Sequence, residues 1–162
     1  MTDVRVPREL RRDAMSRDRG SWDGSRDRAR TPMPWNASRS GGFSADGVIP
    51  WLPLGDVAGG GVADQRRDPG SVLQFCRSLL TLRRAELGVR VAPYELLPAA
   101  PGQWAYRIGG LVVAANLTDE PAVLPGPAGE ILLSTAGDPA GAEPGADRVL
   151  GPWQGVVARD LP

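Results

Sequence analysis

The part of the chain that follows Gly88 alternates between apolar and polar residues in short runs, which turn residues interrupt about every eight to twelve positions. A period of two is typical of strands with one buried face, because successive side chains point to opposite sides of a sheet. Runs this short, bounded by Gly, Pro, Asn and Asp, favour an antiparallel β-sandwich. Gly109-Gly110 is predicted as a tight hairpin turn between two strands. The seven predicted strands are Tyr94–Leu97, Trp104–Ile108, Leu111–Leu117, Ala122–Leu124, Glu130–Ser134, Arg148–Leu150 and Gly155–Ala158.

One long amphipathic helix is predicted before the strands. Between Asp68 and Gly88, apolar residues recur at three- and four-residue steps, and the arginines lie mainly on the opposite side. Asp68 and Pro69 predict the beginning of the helix, as a capping residue and a first-turn proline, and Gly88 predicts its end. Cys76 falls in the apolar stripe, so we interpret it as a small buried residue rather than a nucleophile.

The sequence before this helix follows neither the period of a helix nor that of a strand. Only residues 7–15 could form a short helix there, with Pro7 in its first turn. We therefore expect an irregular, poorly ordered N-terminal arm. The fold class is mainly β, divided into a loop region at 1–67, the helix at 68–88 and the sandwich at 89–162.

Composition excludes several kinds of site. The chain has no histidine and one cysteine, which excludes an internal disulfide, a Cys/His zinc site and a serine or cysteine nucleophile with a histidine base. No pattern calls for a metal or another cofactor. No secretion signal opens the sequence, and no apolar run reaches the roughly 18 residues that span a bilayer. The expected location is the cytoplasm.

Charge is distributed unevenly along the chain. Residues 1–40 contain 10 arginines and 6 acidic residues, so this head is positive, while the whole chain has 19 residues of each sign. A basic head raises the alternative of a nucleic-acid-binding arm. Acidic residues interrupt the arginines, however, and no groove-reading helix or stacking platform follows, so a nucleic-acid partner is not expected.

The segment from Ser25 to Asn36 carries the most specific residue order in the chain. Arg26 and Arg30 flank Asp27 at close spacing, and the Thr-Pro step that follows disfavours helix and predicts an extended path into Trp35. A guanidinium offers five donors in a planar fork, which suits carboxylates, phosphates and the neighbouring hydroxyls of a sugar. Asp27 is placed to hold one of the arginines. Without further information, solvated surface arginines remain the alternative.

The order Arg-Asp-x-x-Arg-Thr-Pro-Met-x-Trp at residues 26–35 resembles the loop after the eighth barrel strand in oligo-1,6-glucosidases and related alpha-glucosidases of the alpha-amylase family, glycoside hydrolase family 13. The resemblance extends to further segments, in chain order Met1-Thr2-Asp3-Val4, Gly42-Phe43-Ser44, Pro50-Trp51-Leu52-Pro53 and Val62-Ala63-Asp64-Gln65. It implies that residues 1–88 are the end of an eight-stranded α/β barrel and that the sandwich is the domain after it. A whole barrel takes about 250 residues, so this chain does not contain one.

The resemblance also implies roles for single residues. Arg26 matches an arginine that contacts sugar hydroxyls, and Arg30 is predicted to bind substrate beside it. Asp27, Trp35 and Phe43 are predicted to support this loop or the pocket wall. Asn36 stands where an aspartate is usual, and Ser25 where a glycine is frequent.

No catalytic residue is implied, because the family's aspartate nucleophile and glutamate acid/base lie upstream of this loop. The leading hypothesis is the C-terminal part of a retaining alpha-glucosidase that acts on alpha-1,4- or alpha-1,6-linked gluco-oligosaccharides and is inactive alone. The alternative is a non-catalytic accessory protein whose sandwich binds glycans or completes a partner chain that carries the barrel. A nucleic-acid-binding arm on an unrelated sandwich is the third hypothesis.

Overall fold

The computed structural model describes residues 4–14, 26–55, 57, 60–88, 92–123, 128–137 and 149–160. The chain divides into two units, Met1–Gln74 and Phe75–Pro162. The prediction of poor order for the first 24 residues falls in part on positions 1–3 and 15–24, which lie outside the described residues.

The second unit is built from antiparallel strands. A five-stranded sheet has the order β1-β2-β3-β7-β5, and β4 pairs with β6 in a second sheet. The predicted mainly β fold with an antiparallel sandwich is therefore confirmed, and the described strand ends differ from the predicted ones by no more than two residues. The bounds are β1 Tyr94–Leu96, β2 Gln103–Ile108, β3 Leu111–Asn116, β4 Ala122–Val123, β5 Ala128–Ser134, β6 Val149–Leu150 and β7 Gly155–Asp160.

The predicted hairpin turn between β2 and β3 is also confirmed. Ile108 pairs with Leu111, so Gly109 and Gly110 alone connect the two strands. Gly109 has φ 56°, a conformation that glycine adopts at little steric cost. This turn sets the register of β2 against the central strand β3, which pairs with β7 on its other side.

The core of the second unit lies between its two sheets. Ala105, Val112, Ala114 and Ala158 come from the five-stranded sheet, and Leu150 comes from β6 of the two-stranded sheet. Val112 pairs with Ala158, and residues opposite each other in a ladder share one face. Burial of this face follows from the alternation that predicted the strands.

Asn116 fixes the end of β3 to two loops. Its side-chain nitrogen donates to the carbonyl oxygens of Glu120 and Gly151 at 2.7 and 2.9 Å. Its side-chain oxygen accepts from the backbone N–H and the hydroxyl of Thr118 at 3.1 and 2.7 Å. The Asn116 side chain is fully buried, and its amide makes these hydrogen bonds. The glycosylation sequon Asn-Leu-Thr that begins at Asn116 therefore offers no accessible nitrogen for a glycan in the folded protein.

In the part of the chain that the structure describes, the helices α1 at Val62–Gln65 and α2 at Val72–Leu87 precede the strands. The predicted start of α2 is wrong by several residues, because Asp68 closes a turn by accepting the N–H of Gly70 at 2.9 Å. Ser71 is the residue directly before α2, and its hydroxyl accepts the N–H of Gln74 at 3.3 Å. The predicted end is confirmed, since Gly88 has φ 60°.

The apolar stripe of α2 is exposed in part and buried nowhere. None of its residues is buried, and Val72, Leu79 and Leu80 are among the exposed large apolar side chains. Cys76 is exposed as well, so its interpretation as a buried residue is wrong. The periodicity identified the helix and its stripe but not whether a neighbour covers that stripe.

The described part of the first unit contains little regular structure. Within the predicted helix of residues 7–15, the structure has a 3-10 turn at Arg8–Leu10, irregular backbone at 11–13 and a helical Ala14, and Met15 lies outside the described residues. A second 3-10 turn spans Asp27–Ala29. The sequence pattern gave no sign of α1, because a helix of one turn is too short to show a period. Among the described residues, no helix has both the length and the apolar character needed to cross a membrane.

Candidate functional site

Arg26 is held by the buried carboxylate of Asp13. Its Nη2 donates to Asp13 Oδ1 at 2.8 Å, its Nε donates to Oδ2 at 3.2 Å, and its backbone N–H donates to the same Oδ2 at 2.8 Å. The Asp13 side chain has no exposed surface, whereas that of Arg26 is 64% exposed. One edge of the guanidinium is therefore anchored on a buried anion while the group itself lies at the surface.

Asp27 anchors the facing backbone. Its Oδ2 accepts the N–H of Arg12 at 2.7 Å and of Asp13 at 3.0 Å, and the residue is fully buried. Its carbonyl oxygen accepts the N–H of Arg30, which closes the 3-10 turn. That Asp27 holds one of the arginines stays a prediction, while Asp13 accepts the hydrogen bonds of the Arg26 side chain. Asp13 lies 13 positions before Arg26 in the sequence, and no motif marks it.

The electrostatics keep Arg26 charged. Its hydrogen bond with Asp13 raises the pKa of the guanidinium above the ordinary arginine value, and the negative charges of Asp13 and Asp27 add to this effect. The guanidinium is therefore a permanent cation with a fixed orientation. Such a group can bind an anion or the oxygens of a polyol, but it cannot act as a general base.

Arg30, the second predicted substrate ligand, has an exposed side chain. Its backbone N–H donates to Asp27 at 3.0 Å, so the position of its Cα follows from the 3-10 turn. Arg26 and Arg30 thus lie at the two ends of the same turn, and Asp27 is the first residue between them.

The backbone around Trp35 is fixed against α1. The carbonyl oxygens of Pro34 and Trp35 accept the N–H groups of Val62 and Ala63, each at 2.9 Å, which satisfies two donors at the beginning of the helix. The N–H of Trp35 donates to the carbonyl oxygen of Gly41 at 2.7 Å. The indole ring is about half exposed, so an ordered backbone presents an aromatic face at the surface.

Phe43 ends the tight loop that follows Trp35. Asn36 accepts the N–H of Ser38 on its side-chain oxygen at 3.0 Å, which forms an Asx-turn. The hydroxyl of Ser38 then accepts the N–H of Gly42 at 3.0 Å, and Phe43 donates its N–H to Ser40 at 3.1 Å. An aspartate at position 36 would accept the same bond, so the departure at Asn36 is compatible with this turn.

A groove of about 620 Å³ lies beside this loop and was not anticipated from the sequence. Neither Trp35 nor Phe43 is among its lining residues, which are Ser38, Arg39, Ser40, Asp46, Gly47, Val48, Ile49, Pro50 and Leu54. Its residues follow no periodic pattern, so only the path of the chain reveals it. Within the described ranges, no cluster of three or more acidic or cysteine side chains could hold a metal ion.

The family described as "Alpha amylase, catalytic domain" matches residues 1–90, which is more than half of the chain. The chain belongs to the alpha-amylase family. The resemblance seen in the sequence is confirmed, and this family match includes the Asp13–Arg26 pair, the 3-10 turn and the Trp35 loop. A "Domain of unknown function (DUF3459)" matches residues 99–157, within the sandwich of this alpha-amylase family member.

Curated relatives of this alpha-amylase family chain are glycosidases. "Probable oligo-1,6-glucosidase 2" of Bacillus subtilis is 37% identical over 84 residues, covering 51% of this chain and 15% of the relative. "Trehalose-6-phosphate hydrolase" of Escherichia coli is 37% identical over 102 residues, covering 59% of this chain and 18% of the relative. The chain therefore spans less than a fifth of the length of these relatives.

Solved structures agree with the family assignment. An "alpha-glucosyl transfer enzyme, XgtA" superposes with a TM-score of 0.77 at 28% identity, covering 99% of this chain and 31% of that one. An "isomaltulose synthase" from Klebsiella sp. LX3 superposes with a TM-score of 0.69 at 25% identity, covering 83% of this chain and 26% of that one. The fold of this chain corresponds to about a quarter to a third of each of these enzymes.

Proposed function

We propose that this chain supplies a sugar-contacting arginine loop and the C-terminal sandwich of a retaining alpha-glucosidase that acts on alpha-1,4- or alpha-1,6-linked gluco-oligosaccharides. The observation that carries the proposal is Arg26, a surface guanidinium oriented by a buried carboxylate within the segment that matches the alpha-amylase catalytic domain. In this proposal Arg26 and Arg30 bind sugar hydroxyls, while Asp27, Trp35 and Phe43 support the loop.

The chain by itself is proposed to be inactive. Retaining glycosidases need two carboxyl groups about 5 Å apart, one as nucleophile and one as acid/base. Among the described residues, the buried carboxylates near Arg26 are those of Asp13 and Asp27, and both accept backbone N–H groups, which suits them to a structural role. Neither is aligned with the family's catalytic residues by the sequence motifs.

The exposed stripe of α2 supports the proposal that another part of an alpha-amylase domain covers it. Val72, Leu79 and Leu80 would each bury apolar surface against such a neighbour, at roughly 25 cal/mol per Å² removed from water. The relatives are several times longer than this chain, and a barrel-bearing segment or chain is the proposed neighbour.

Hydrolysis of nitrophenyl alpha-glucoside tests the inactivity of the chain. We expect no release of nitrophenol above the buffer rate from the purified protein. Measurable turnover that disappears on changing Asp13 or Asp27 would show that these carboxylates are catalytic and would refute the assignment. Calorimetry with maltose and isomaltose tests the accessory alternative, because binding by the isolated chain at millimolar sugar would favour a glycan-binding sandwich.

The DNA immediately upstream of Met1 tests the assignment to a longer enzyme. Residues 1–4 resemble those that directly follow a Gly-Glu-Glu-Ile-Gly turn in alpha-glucosidases of this family, so an in-frame reading that encodes this turn before Met1 would provide the longer polypeptide for assay. In that enzyme, Arg26→Lys keeps the charge but loses the planar fork, so kcat/KM for maltose or isomaltose should fall at least tenfold. Arg5→Lys, at an exposed position outside the loop, is the matched control and should leave kcat/KM unchanged. Equal values for both variants would refute substrate contact by Arg26.

A further inference from the structure

We propose that Asp13 is a positioning residue for Arg26, which sets the direction in which the guanidinium presents its remaining donors to substrate. The inference rests on the proposed function, because it assigns a purpose to the orientation of Arg26. The Nε and Nη2 groups of Arg26 contact the two oxygens of Asp13, and Nη1 lies outside this pair. A side chain with several rotatable bonds is thus reduced to one orientation at the surface.

Burial shows which partner positions the other. Asp13 has a side chain without exposed surface, whereas the side chain of Arg26 is 64% exposed. An exposed arginine is free to adopt many rotamers, while a buried carboxylate must stay where its hydrogen bonds are satisfied. Asp13 therefore provides the fixed end of the pair, and Arg26 provides the end that faces solvent.

Asp13 is itself held from the other side. Its backbone N–H donates to Asp27 Oδ2 at 3.0 Å, and the adjacent N–H of Arg12 donates to the same oxygen at 2.7 Å. The carboxylate of Asp13 thus projects from a backbone segment that Asp27 has already fixed. Displacement of Arg26 would require either breaking this arrangement or removing from a buried carboxylate the cation that contacts both of its oxygens.

The chemistry of the pair requires a carboxylate. Both oxygens of Asp13 accept hydrogen bonds from Arg26, and one also accepts the Arg26 backbone N–H. Asparagine has similar volume but only one acceptor oxygen, and its amide nitrogen would face a guanidinium donor. Asp13→Asn should therefore keep the backbone bond to Arg26 and lose the two-point hold on the side chain.

The experiment is NMR of the arginine side chains in the full chain labelled with nitrogen-15, with Arg26→Lys identifying the Arg26 Nε–Hε signal. We expect this signal to lie apart from those of solvated arginines and to exchange with water at least roughly tenfold more slowly. In Asp13→Asn it should return to the solvated group and lose that protection. Asp13→Glu keeps the charge, so part of the difference in chemical shift between the Arg26 signal and those of solvated arginines should remain.

Two readouts separate positioning from a purely structural role. The amides of Arg12 and residue 13, which are bonded to Asp27, should keep their exchange rates in Asp13→Asn. Asp64→Asn, which removes the charge from an exposed pair with Arg67 at 3.9 Å, is the matched control and should not alter the Arg26 signal. The inference is overturned if Asp13→Asn leaves the Arg26 signal unchanged, or if the Arg12 amide loses protection together with it.

The positioning role of Asp13 and the proposed function can be refuted separately. An unchanged Arg26 signal in Asp13→Asn would refute the positioning role and leave sugar contact by Arg26 intact. Conversely, a lost signal in Asp13→Asn together with an unchanged kcat/KM of the Arg26→Lys enzyme would confirm that Asp13 orients Arg26 and refute the sugar contact.

Discussion

Asp13 and Asp27 each accept a backbone N–H from the other's segment. The N–H of Asp13 donates to Asp27 Oδ2 at 3.0 Å, and the N–H of Arg26, the residue directly before Asp27, donates to Asp13 Oδ2 at 2.8 Å. This reciprocal arrangement satisfies donors that would otherwise be buried without partners. The segments that contain Asp13 and Asp27 are thereby joined by polar contacts, which fix the backbone around Arg26.

Asp27→Ala should loosen the segment that contains Asp13. The change leaves the N–H groups of Arg12 and Asp13 without their acceptor, at a cost of about 2 kcal/mol or more, because a buried unsatisfied donor loses its full desolvation energy. Hydrogen exchange at these two amides should accelerate roughly 30-fold. Asp46→Ala, at an exposed aspartate of the same unit, should leave both rates unchanged, and equal acceleration in the two variants would contradict the account.

Asn116→Ala should strongly destabilise the sandwich. It removes four hydrogen bonds of a fully buried amide and leaves the carbonyl oxygens of Glu120 and Gly151 without this donor. The expected loss is about 3 kcal/mol in the free energy of unfolding, measured by urea denaturation of the β-sheet signal.

Asn36→Ala is the matched control for Asn116. Asn36 is exposed and accepts a single N–H, so its removal should cost about 0.5 to 1 kcal/mol. Similar losses for the two asparagines would indicate that the buried amide has no special role. Attachment of a glycan to Asn116 in the folded protein would contradict its burial directly.

Gly102→Ala should cost more than the positive φ alone explains. Gly102 has φ 80°, and a Cβ added there would collide with the Cγ2 methyl of Thr118. The expected loss for Gly102→Ala is about 1 to 3 kcal/mol in the free energy of unfolding. Adding Thr118→Ser removes the methyl group but keeps the hydroxyl that donates to Asn116, so the double variant should recover most of this loss. Gly137→Ala also has a positive φ, at 115°, but meets no atom within 4 Å.

The measurement is the urea midpoint of four proteins: the unchanged chain, Gly102→Ala, Gly102→Ala with Thr118→Ser, and Gly137→Ala. Gly137→Ala should lose only the backbone cost of about 1 kcal/mol. If Thr118→Ser gives no recovery in the Gly102→Ala background, the loss arises from the backbone alone and the proposed collision is wrong.

Leu80→Gln should leave stability nearly unchanged, because the side chain is 53% exposed on the stripe of α2. The free energy of unfolding should change by about 0.5 kcal/mol or less, while the fluorescence of a dye that binds apolar surfaces should decrease. Leu97→Gln, at a buried core position, should instead cost several kcal/mol, on the order of 3. A large loss of stability in Leu80→Gln would show that something in the chain already covers the stripe.

The strands were predictable because their determinants are local. Alternation identified all seven strands that the structure describes, and Gly109-Gly110 marked the hairpin, since a two-residue turn with positive φ nearly requires glycine. The beginning of α2 was mispredicted because Asp68 has two uses, as a cap or as a turn former, and the sequence does not distinguish them. Periodicity identified the apolar side of α2, but whether that side is covered depends on a neighbour that periodicity does not specify.

The residue order of the arginine loop by itself determined the family and the identity of Arg26 as the candidate ligand, because the motif is local and specific. Only the tertiary structure revealed that Asp13 orients this arginine and that Asp27 holds the backbone of Asp13. Contacts between residues 13 or 14 positions apart depend on how the chain returns on itself, which no spacing rule encodes. Whether a neighbour covers the apolar stripe that contains Cys76 likewise depends on tertiary structure, and Cys76 is exposed.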